Sequence, residues 1–591
     1  MNASLQTLPE RLQARAAASP DQLAYLHQVD GRAWQPVTWR EVAQRVDTLA
    51  RHFSDLGLQT GDRVAIALPT SPEWEYCQLA ALAVGAVVIG IDAHDAPRNV
   101  RHILDLTQPR LLITSTSETL RTFGELWRIP EITITCERDA SAHHGHTLGQ
   151  LLEAQKSPRP PMPPPLPENI ATIVFTSGST GQPKGIAYSH RQIAQACDTI
   201  LERFPSLRQD SRLACWLPLS NLFQRIINFC AVSCGARSYF VDKPDQIVRL
   251  LPQIQPTFFL GVPRFFEKLH AGILGELAKQ SAPVRGLIHG AWTVGCRNAE
   301  ARRAGQRPAL VWRALHPLAI PLLRRVRSVM GHELQFMVSG SAPMPRWLLE
   351  RFHGLGWLVL EAYGISENVI PVAVNTPQRF RFGSVGQALP GNELRVADDH
   401  ELLVRGAGVF SGYYGETADV APLSADGFLH TGDYARIDDE GYVWLEGRKS
   451  EVFKTSTGRR IAPAPIEAAL KQLDYVDHAV VVGRDRPYPV AILALDSRHP
   501  LAGEIHTAAT SARISDDVAA ACEGFSDYQR PGALILSLQA FTVTGGELTA
   551  NLKLRRKPIE ERFRAQIEEA YDRASPRAPT TPSRPRVINA P

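Results

Sequence analysis

Ile170–Gly185 reads IATIVFTSGSTGQPKG, a mostly apolar run followed at once by glycines and small hydroxyl residues. Ile170–Phe175 is short, apolar and β-branched, which predicts a buried strand. Thr176–Gly185 then combines three glycines, four hydroxyls and one cation. Gly178, Gly181 and Gly185 let the backbone turn tightly and aim successive N–H groups at an anion. Thr176, Ser177, Ser179 and Thr180 add donors and Lys184 adds positive charge, a combination suited to phosphate. A Walker loop needs four residues between its first glycine and its Gly-Lys pair. Gly178 and Gly181 have the wrong spacing, so a P-loop NTPase is excluded. The bland alternative is a Ser/Gly-rich surface turn.

Upstream of this segment, strand and helix signals alternate: Arg63–Ala67, Glu73–Val84, Val87–Ile91, His102–Leu106 and Leu111–Thr114. Repeated βαβ units of this kind predict a mostly parallel sheet covered by helices. Ser157–Glu168, SPRPPMPPPLPE, excludes regular helix or central strand and reads as an interdomain linker or a rigid surface crossing, with a connection that delivers the chain into the next sheet favoured. Downstream, Asp426-Gly427 and Glu440-Gly441 bracket the strands Tyr434–Ile437 and Tyr442–Leu445, a hairpin-rich stretch. The expected organisation is α/β: a large N-terminal region of several subdomains over residues 1–447, with mostly parallel sheets. A small mobile α+β C-terminal domain over 448–574 and a disordered tail over 575–591, rich in Pro, Ser, Thr and Arg, complete it.

A chain of 591 residues exceeds one compact domain, and 44% hydrophobic with 21% charged residues is ordinary for a globular protein. A net charge of +4 supplies no strong field towards nucleic acid, so no nucleic-acid partner is expected. The eight cysteines lack metal-ligand spacing and read as reduced thiols. The N-terminus lacks the apolar core of a signal peptide. The longest apolar stretch, Ala214–Ala236, is interrupted by Asn221, Gln224, Arg225 and Asn228, which favours a buried segment over a membrane span. A cytoplasmic location is expected.

From Thr38 to Arg564 the chain resembles the acyl-adenylate-forming superfamily, most closely its long-chain fatty acyl-CoA synthetases, and TSGSTGQPKG is the strongest match. The resemblance implies activation of a medium- or long-chain fatty acid by ATP and Mg²⁺ to acyl-AMP, then transfer to CoA. A carrier-protein phosphopantetheine as acceptor and a non-catalytic nucleotide-binding relative are the alternatives. Gly340–Pro343, GSAP, is similar to the loop beside the adenine, implying contacts from Gly340, Ser341 and Ala342. In Tyr363–Glu367, YGISE, the resemblance implies that Tyr363 packs on the base, Gly364 and Ser366 approach the nucleotide, and Glu367 holds Mg²⁺ with Thr180. An aromatic face suits a base and a carboxylate suits a hard cation. Within His430–Asp433, HTGD, Asp433 is implied to accept from both ribose hydroxyls. Arg448, at the domain junction, would contact nucleotide, and Ser450 would be the hinge. Gly546–Arg556, GELTANLKLRR, places the catalytic lysine at Lys553, beside Glu367 and Lys184 in the catalytic set; a mobile ammonium there would neutralise charge in the transition state. The bland alternative is a solvated basic face formed by Lys553, Arg555, Arg556 and Lys557.

The chain departs from the family pattern at several positions. Asn221 and Gln224 stand where long-chain relatives usually carry His and Glu, and Ser450 where they carry Asp or Lys. Thr457 replaces a glycine in the loop expected near the thiol, and Ala550 and Asn551 replace Pro-Thr before Lys553. Arg285–Arg327 carries nine arginines, a single acidic residue, Glu300, and the apolar core ALHPLAIPLL. It reads either as a solvated helical face, the favoured reading, or as a basic amphipathic surface resting peripherally on anionic lipid at the inner face of the membrane.

Overall fold

The computed structural model describes residues 6–590 apart from 29–30, 32, 93–94, 138–145, 155–162, 178–181, 417–421, 543–544, 549–553 and 573–584. Two large sheets organise the N-terminal region. The first has seven strands in the order His146–Thr147, Ile132–Thr135, Leu111–Thr114, Arg63–Ala67, Val87–Gly90, Ile170–Ser177 and Pro183–Ser189. All its pairs are parallel except the last, an antiparallel hairpin in which Thr176 faces Lys184. The second has nine strands, with Val359–Tyr363, Phe336–Ser339, Phe258–Gly261, Arg212–Cys215, Arg237–Phe240 and Leu23–Gln28 running parallel at its centre.

Helices fill the space between the sheets because both faces must be covered. Trp39–Asp55, Pro72–Ala83, His190–Arg203 and Leu222–Cys234 contribute to one continuous core with strands of both sheets. Thr38 and Ser189 start two of these helices through side-chain caps. The stretch considered for a membrane span divides into a buried strand and the buried helix Leu222–Cys234. No helix among the described residues is long and apolar enough to cross a membrane. A second core covers the other face of the nine-stranded sheet with the helices Pro263–Ala278, Ala282–Arg303, Leu310–Arg327 and Arg346–Leu355.

A four-stranded antiparallel sheet follows, Asn392–Val396, Glu401–Gly406, Leu429–Ile437 and Val443–Arg448. The small C-terminal unit has its own sheet, Val476–Val482, Val490–Leu495, Ala533–Ser537 and Arg586–Asn589, and its own core. The α/β class is therefore as expected. The disordered tail is corrected in part: Arg586–Asn589 is a strand parallel to Ala533–Ser537, with Ile588 buried. A proline-rich, charged composition hid it, since only Val587 and Ile588 carry an apolar signal. Residues 575–584 of that tail, and 157–162 of the proline-rich connection, lie outside the described residues.

Candidate nucleotide site

The hairpin Ile170–Ser177 and Pro183–Ser189 brings the two ends of the glycine-rich loop together. Thr176 and Ser177 end the first strand, and Lys184 lies on the second. Gly178, Ser179, Thr180 and Gly181 fall outside the described residues. Gly185 packs tightly: a Cβ there would lie 3.2 Å from Ile173 and Phe175. The Lys184 ammonium lies 3.4 Å from Glu416 Oε2 and 4.3 Å above the centre of the Tyr413 ring. Tyr413, which the sequence did not single out, donates from its hydroxyl to Glu367 Oε1 at 3.0 Å. Its backbone pairs with Ile186 on the hairpin, so the segment carrying Tyr413 and Glu416 is tied to the strand Pro183–Ser189.

Tyr363 ends a parallel strand at its carboxyl end, the edge where α/β sheets place ligands. Gly364, Ser366 and Glu367 follow on the loop, and the Tyr188 hydroxyl donates to the Ser366 carbonyl. The buried Tyr363 hydroxyl donates to Asp433 Oδ2 at 2.6 Å, while Arg448 Nε forms an ion pair with Asp433 Oδ1 at 3.1 Å. Burial raises the Asp433 carboxyl above its ordinary range, against the opposing pull of Arg448 and Tyr363. Each Asp433 oxygen has a second lone pair left to accept a hydroxyl. The pairing follows from register, since Asp433 and Arg448 face each other across two antiparallel strands.

Gly340, Ser341 and Ala342 follow the strand Phe336–Ser339, beside the strand that ends in Tyr363. A side chain at Gly340 would meet the Phe223 ring at 2.7 Å, so the loop approaches that ring closely. Ser341 has φ +70°, a left-handed conformation that non-glycine residues adopt at some cost.

The junction after Arg448 turns at once: Glu451 and Val452 both donate backbone N–H groups to the Arg448 carbonyl. Ser450 is exposed on this turn. Thr457 is exposed too, and its hydroxyl lies 2.9 Å from that of Thr455. Lys553, with Ala550 and Asn551, lies outside the described residues. Its flanks are held: Leu548 bridges Leu554, and Arg555 N–H donates to the Glu547 carbonyl. Arg556 is no part of a solvated face, because it makes a bidentate pair with Glu467 at 2.6 and 2.7 Å. Two contacts join the C-terminal unit to the helix Pro263–Ala278: Arg264 with Asp477, and Lys471 with Glu267 at 2.5 Å. A cavity of about 250 Å³ beside the junction is lined by Tyr434, Phe453, Lys454, Arg460, Arg484 and Asp485 among others, three cations against one carboxylate.

Gln224 belongs to a buried network rather than an open wall. It donates to Asn228 at 3.1 Å, and Asn228 donates to Glu75 at 2.7 Å. The fully buried Arg225 donates to Gln78 at 3.0 Å and to Thr172 on the strand Ile170–Ser177 at 3.1 Å. Asn221 stands at the N-cap of the same helix. Helical spacing of Gln224 and Asn228 was the available signal for this network, but the partners come from two other elements.

Two contact clusters thus flank the loop 364–366, Lys184 with Tyr413 and Glu367 on one hand and Tyr363 with Asp433 and Arg448 on the other, on a fold of two layered sheets and a small C-terminal unit. That architecture is the fold of an adenylate-forming enzyme. Comparison with known proteins agrees: the chain belongs to the AMP-binding enzyme family, whose model matches residues 12–414. The model of the AMP-binding enzyme C-terminal domain matches residues 451–575. The long-chain-fatty-acid–CoA ligase FadD15 of Mycobacterium bovis is 30% identical over 580 residues, 94% of this chain and 95% of that protein. The long-chain-fatty-acid–CoA ligase ACSBG1 of Rattus norvegicus is 26% identical, over 91% of this chain and 82% of its own. Among solved structures, the adenylation domain of a carboxylate reductase from Mycobacterium chelonae shares the fold at TM-score 0.77 and 23% identity. That match covers 96% of this chain and 92% of the other.

Proposed function

We propose that this chain activates a medium- or long-chain fatty acid and transfers it to CoA. The carboxylate oxygen attacks the α-phosphorus of ATP, the bond to the β-phosphate oxygen breaks, and pyrophosphate leaves. The CoA thiol then loses its proton and attacks the acyl carbon, and AMP departs. The observation that carries this reading is the pair of contact clusters, Lys184–Tyr413–Glu367 and Tyr363–Asp433–Arg448, which the short segment Tyr363–Glu367 ties together. The 30% identity to a long-chain-fatty-acid–CoA ligase over almost the whole chain supports the substrate class.

In this reading Lys184 and the loop Thr176–Gly181 bind the phosphates, and Tyr363 with Gly340–Ala342 borders the base. Asp433 accepts the ribose hydroxyls and Arg448 steadies it. Catalysis is then mainly positioning and charge neutralisation. Among the described residues no three metal-binding side chains cluster, so a cage built only of protein ligands does not fit Mg²⁺. A single carboxylate working with substrate phosphates does fit, because Mg²⁺ commonly keeps such a mixed shell. Glu367 is that carboxylate, with Thr180 as a further oxygen donor. When bound, the ion would offset charge on the phosphates.

The domain limits 1–447 and 448–574 are part of the same proposal, with rotation about Ser450 moving Lys553 away before the thiol enters. The cationic cavity beside the junction supports an acceptor carrying phosphates, which CoA does. The protein is placed in the cytoplasm, with peripheral contact through the helix Leu310–Arg327. Leu310 and Leu318 are 73% and 70% exposed on this helix, whose last turns carry Arg324 and Arg325, which suits an anionic lipid surface better than water alone. Retention of the protein by anionic but not neutral vesicles in a flotation assay would support that contact, and equal recovery from both would oppose it.

ATP–pyrophosphate exchange across a panel of carboxylic acids tests the main proposal. Fatty acids should stimulate exchange, and Lys184→Ala should depress it by roughly 10²-fold or more. Exchange stimulated by amino acids alone, or unchanged in a folded Lys184→Ala variant, would refute it. Comparing CoA with an acyl carrier protein as acceptor then fixes the second half.

A further inference from the structure

A cavity of about 930 Å³ lies away from the nucleotide cluster. Gln335 and Leu358 line it, immediately before the strands Phe336–Ser339 and Val359–Tyr363. Gly340 and Tyr363 stand at the far ends of those strands, so a strand length of roughly 13 Å separates the two sites. The volume falls within the range of about 300–1,000 Å³ usual for small-molecule sites.

Six arginines from four segments line this cavity, Arg302, Arg303, Arg327, Arg346, Arg379 and Arg381, and no carboxylate does. Three have acidic neighbours outside the wall: Arg303 and Arg346 share Glu350 at 3.2 and 3.1 Å, and Arg381 meets Asp438 at 3.1 Å. Arg302, Arg327 and Arg379 pair with no carboxylate among the described residues. Arg327 Nε is buried without a hydrogen-bond partner. Behind the wall, Arg203 is pulled below the usual guanidinium range by burial and then by the charge of Arg379. A fold gains nothing from converging like charges in this way, so a ligand of opposite sign is the natural use for them.

Phe380, Phe382, Tyr442 and Trp444 add aromatic rings to a wall that also holds His316, His353 and aliphatic side chains. Arg303 stacks over Phe382 at 4.9 Å and Arg381 over Tyr442 at 4.7 Å, with Phe380 and Trp444 beside them. Layers of guanidinium and aromatic rings favour a flat conjugated partner. The loop bearing Arg379–Phe382 is held in place: Asn375 accepts from Arg381 N–H at 3.0 Å and donates to the Ser384 carbonyl at 2.6 Å. Glu361 takes the Gly383 N–H at 2.8 Å. The site is therefore preformed.

We propose that this cavity binds a nucleoside phosphate at a site separate from the reaction, its phosphates on Arg302, Arg327 and Arg379 and its base against Phe380 and Trp444. The assignment does not depend on which acid the enzyme activates. Hydrogen–deuterium exchange of the full chain, at matched ionic strength, locates the binding independently of the nucleotide cluster. The probes are ATP, adenosine 3′,5′-bisphosphate, inorganic pyrophosphate and vesicles of anionic phospholipid. At least one nucleotide should slow exchange in residues 346–358 and 376–384. Arg302 and Arg379 are exposed and safe to replace. Arg302→Gln with Arg379→Gln should raise the nucleotide concentration needed by about ten-fold or more, the usual consequence of losing charged hydrogen bonds. ATP protection around Asp433 should be unchanged in that variant. The proposal is overturned if neither nucleotide protects these segments, or if the double variant behaves as the parent. Equal protection by pyrophosphate, or protection by vesicles alone, would also overturn it.

Discussion

Glu361 is fully buried on the strand that ends in Tyr363, and burial raises its carboxyl to about 8 against the opposing backbone donors Gly383 and Met344. Its folded pKa lies above the unfolded one, so the folded state holds the proton more tightly. Stability is then greatest below about pH 4.5, falls as pH rises, and reaches its floor above about pH 8. The interval from 4.5 to about 8 corresponds to roughly 5 kcal/mol at about 1.4 kcal/mol per decade of proton affinity. Glu361→Gln keeps the shape and an acceptor for Gly383 while removing the titration. Between pH 5.5 and 8.5 its stability advantage over the parent should grow by about 3 kcal/mol, order of magnitude. Urea unfolding of both proteins, followed by tryptophan fluorescence at pH 5.5, 7.0 and 8.5, measures that growth. Parallel pH profiles for parent and variant would show that Glu361 is ionised in the folded protein and that the burial argument fails.

Two further outcomes are expected. Lys553→Ala should slow adenylation by about 10²–10³-fold, as for loss of one charge-stabilising donor, and leave thioester formation from supplied acyl-AMP nearly intact; equal losses in both halves would assign the role elsewhere, for instance to Lys557. Arg264→Ala with Lys471→Ala removes the two ion pairs that join the C-terminal unit to the helix Pro263–Ala278. At about 0.2–1 kcal/mol each, their loss should quicken limited trypsin cleavage near 449–460 by a few-fold, and an unchanged cleavage rate would show that they carry no domain attachment.

The parallel sheet was legible in the sequence because its strands are buried on both faces and read as short apolar runs. Arg63–Ala67 and Leu111–Thr114 have the bounds their sequences predict. The strand Ile170–Phe175 and the candidate phosphate loop after it were legible because their chemistry is local, but the antiparallel return strand Pro183–Ser189 was not singled out. Tyr363, Asp433 and Arg448 could be named one by one, but their hydrogen bonds depend on strand register across the chain. Tyr413 was missed because a lone tyrosine between glycine and tyrosine carries no pattern. The arginine cavity was illegible for a related reason: Arg302, Arg327, Arg346 and Arg379 come from separate segments, and only the packed helices bring them together. Arg225 marked its segment as buried rather than membrane-spanning, but a charge inside an apolar helix does not announce the distant Gln78 and Thr172 that receive it.

The pairing of Arg448 with Asp433 has a thermodynamic consequence for domain movement. Arg448 is the last residue of its strand before the exposed turn at Ser450, and Asp433 is the proposed ribose acceptor. Whatever free energy a bound ribose takes from or adds to that ion pair, it takes from or adds to the preference for one domain orientation. Linkage makes the effect reciprocal: the factor by which rotation alters nucleotide affinity equals the factor by which nucleotide alters the rotation equilibrium. Under the proposed rotation about Ser450, no separate sensor is needed to report whether AMP has left, because Arg448, two residues before the proposed pivot, already pairs with the proposed ribose acceptor Asp433.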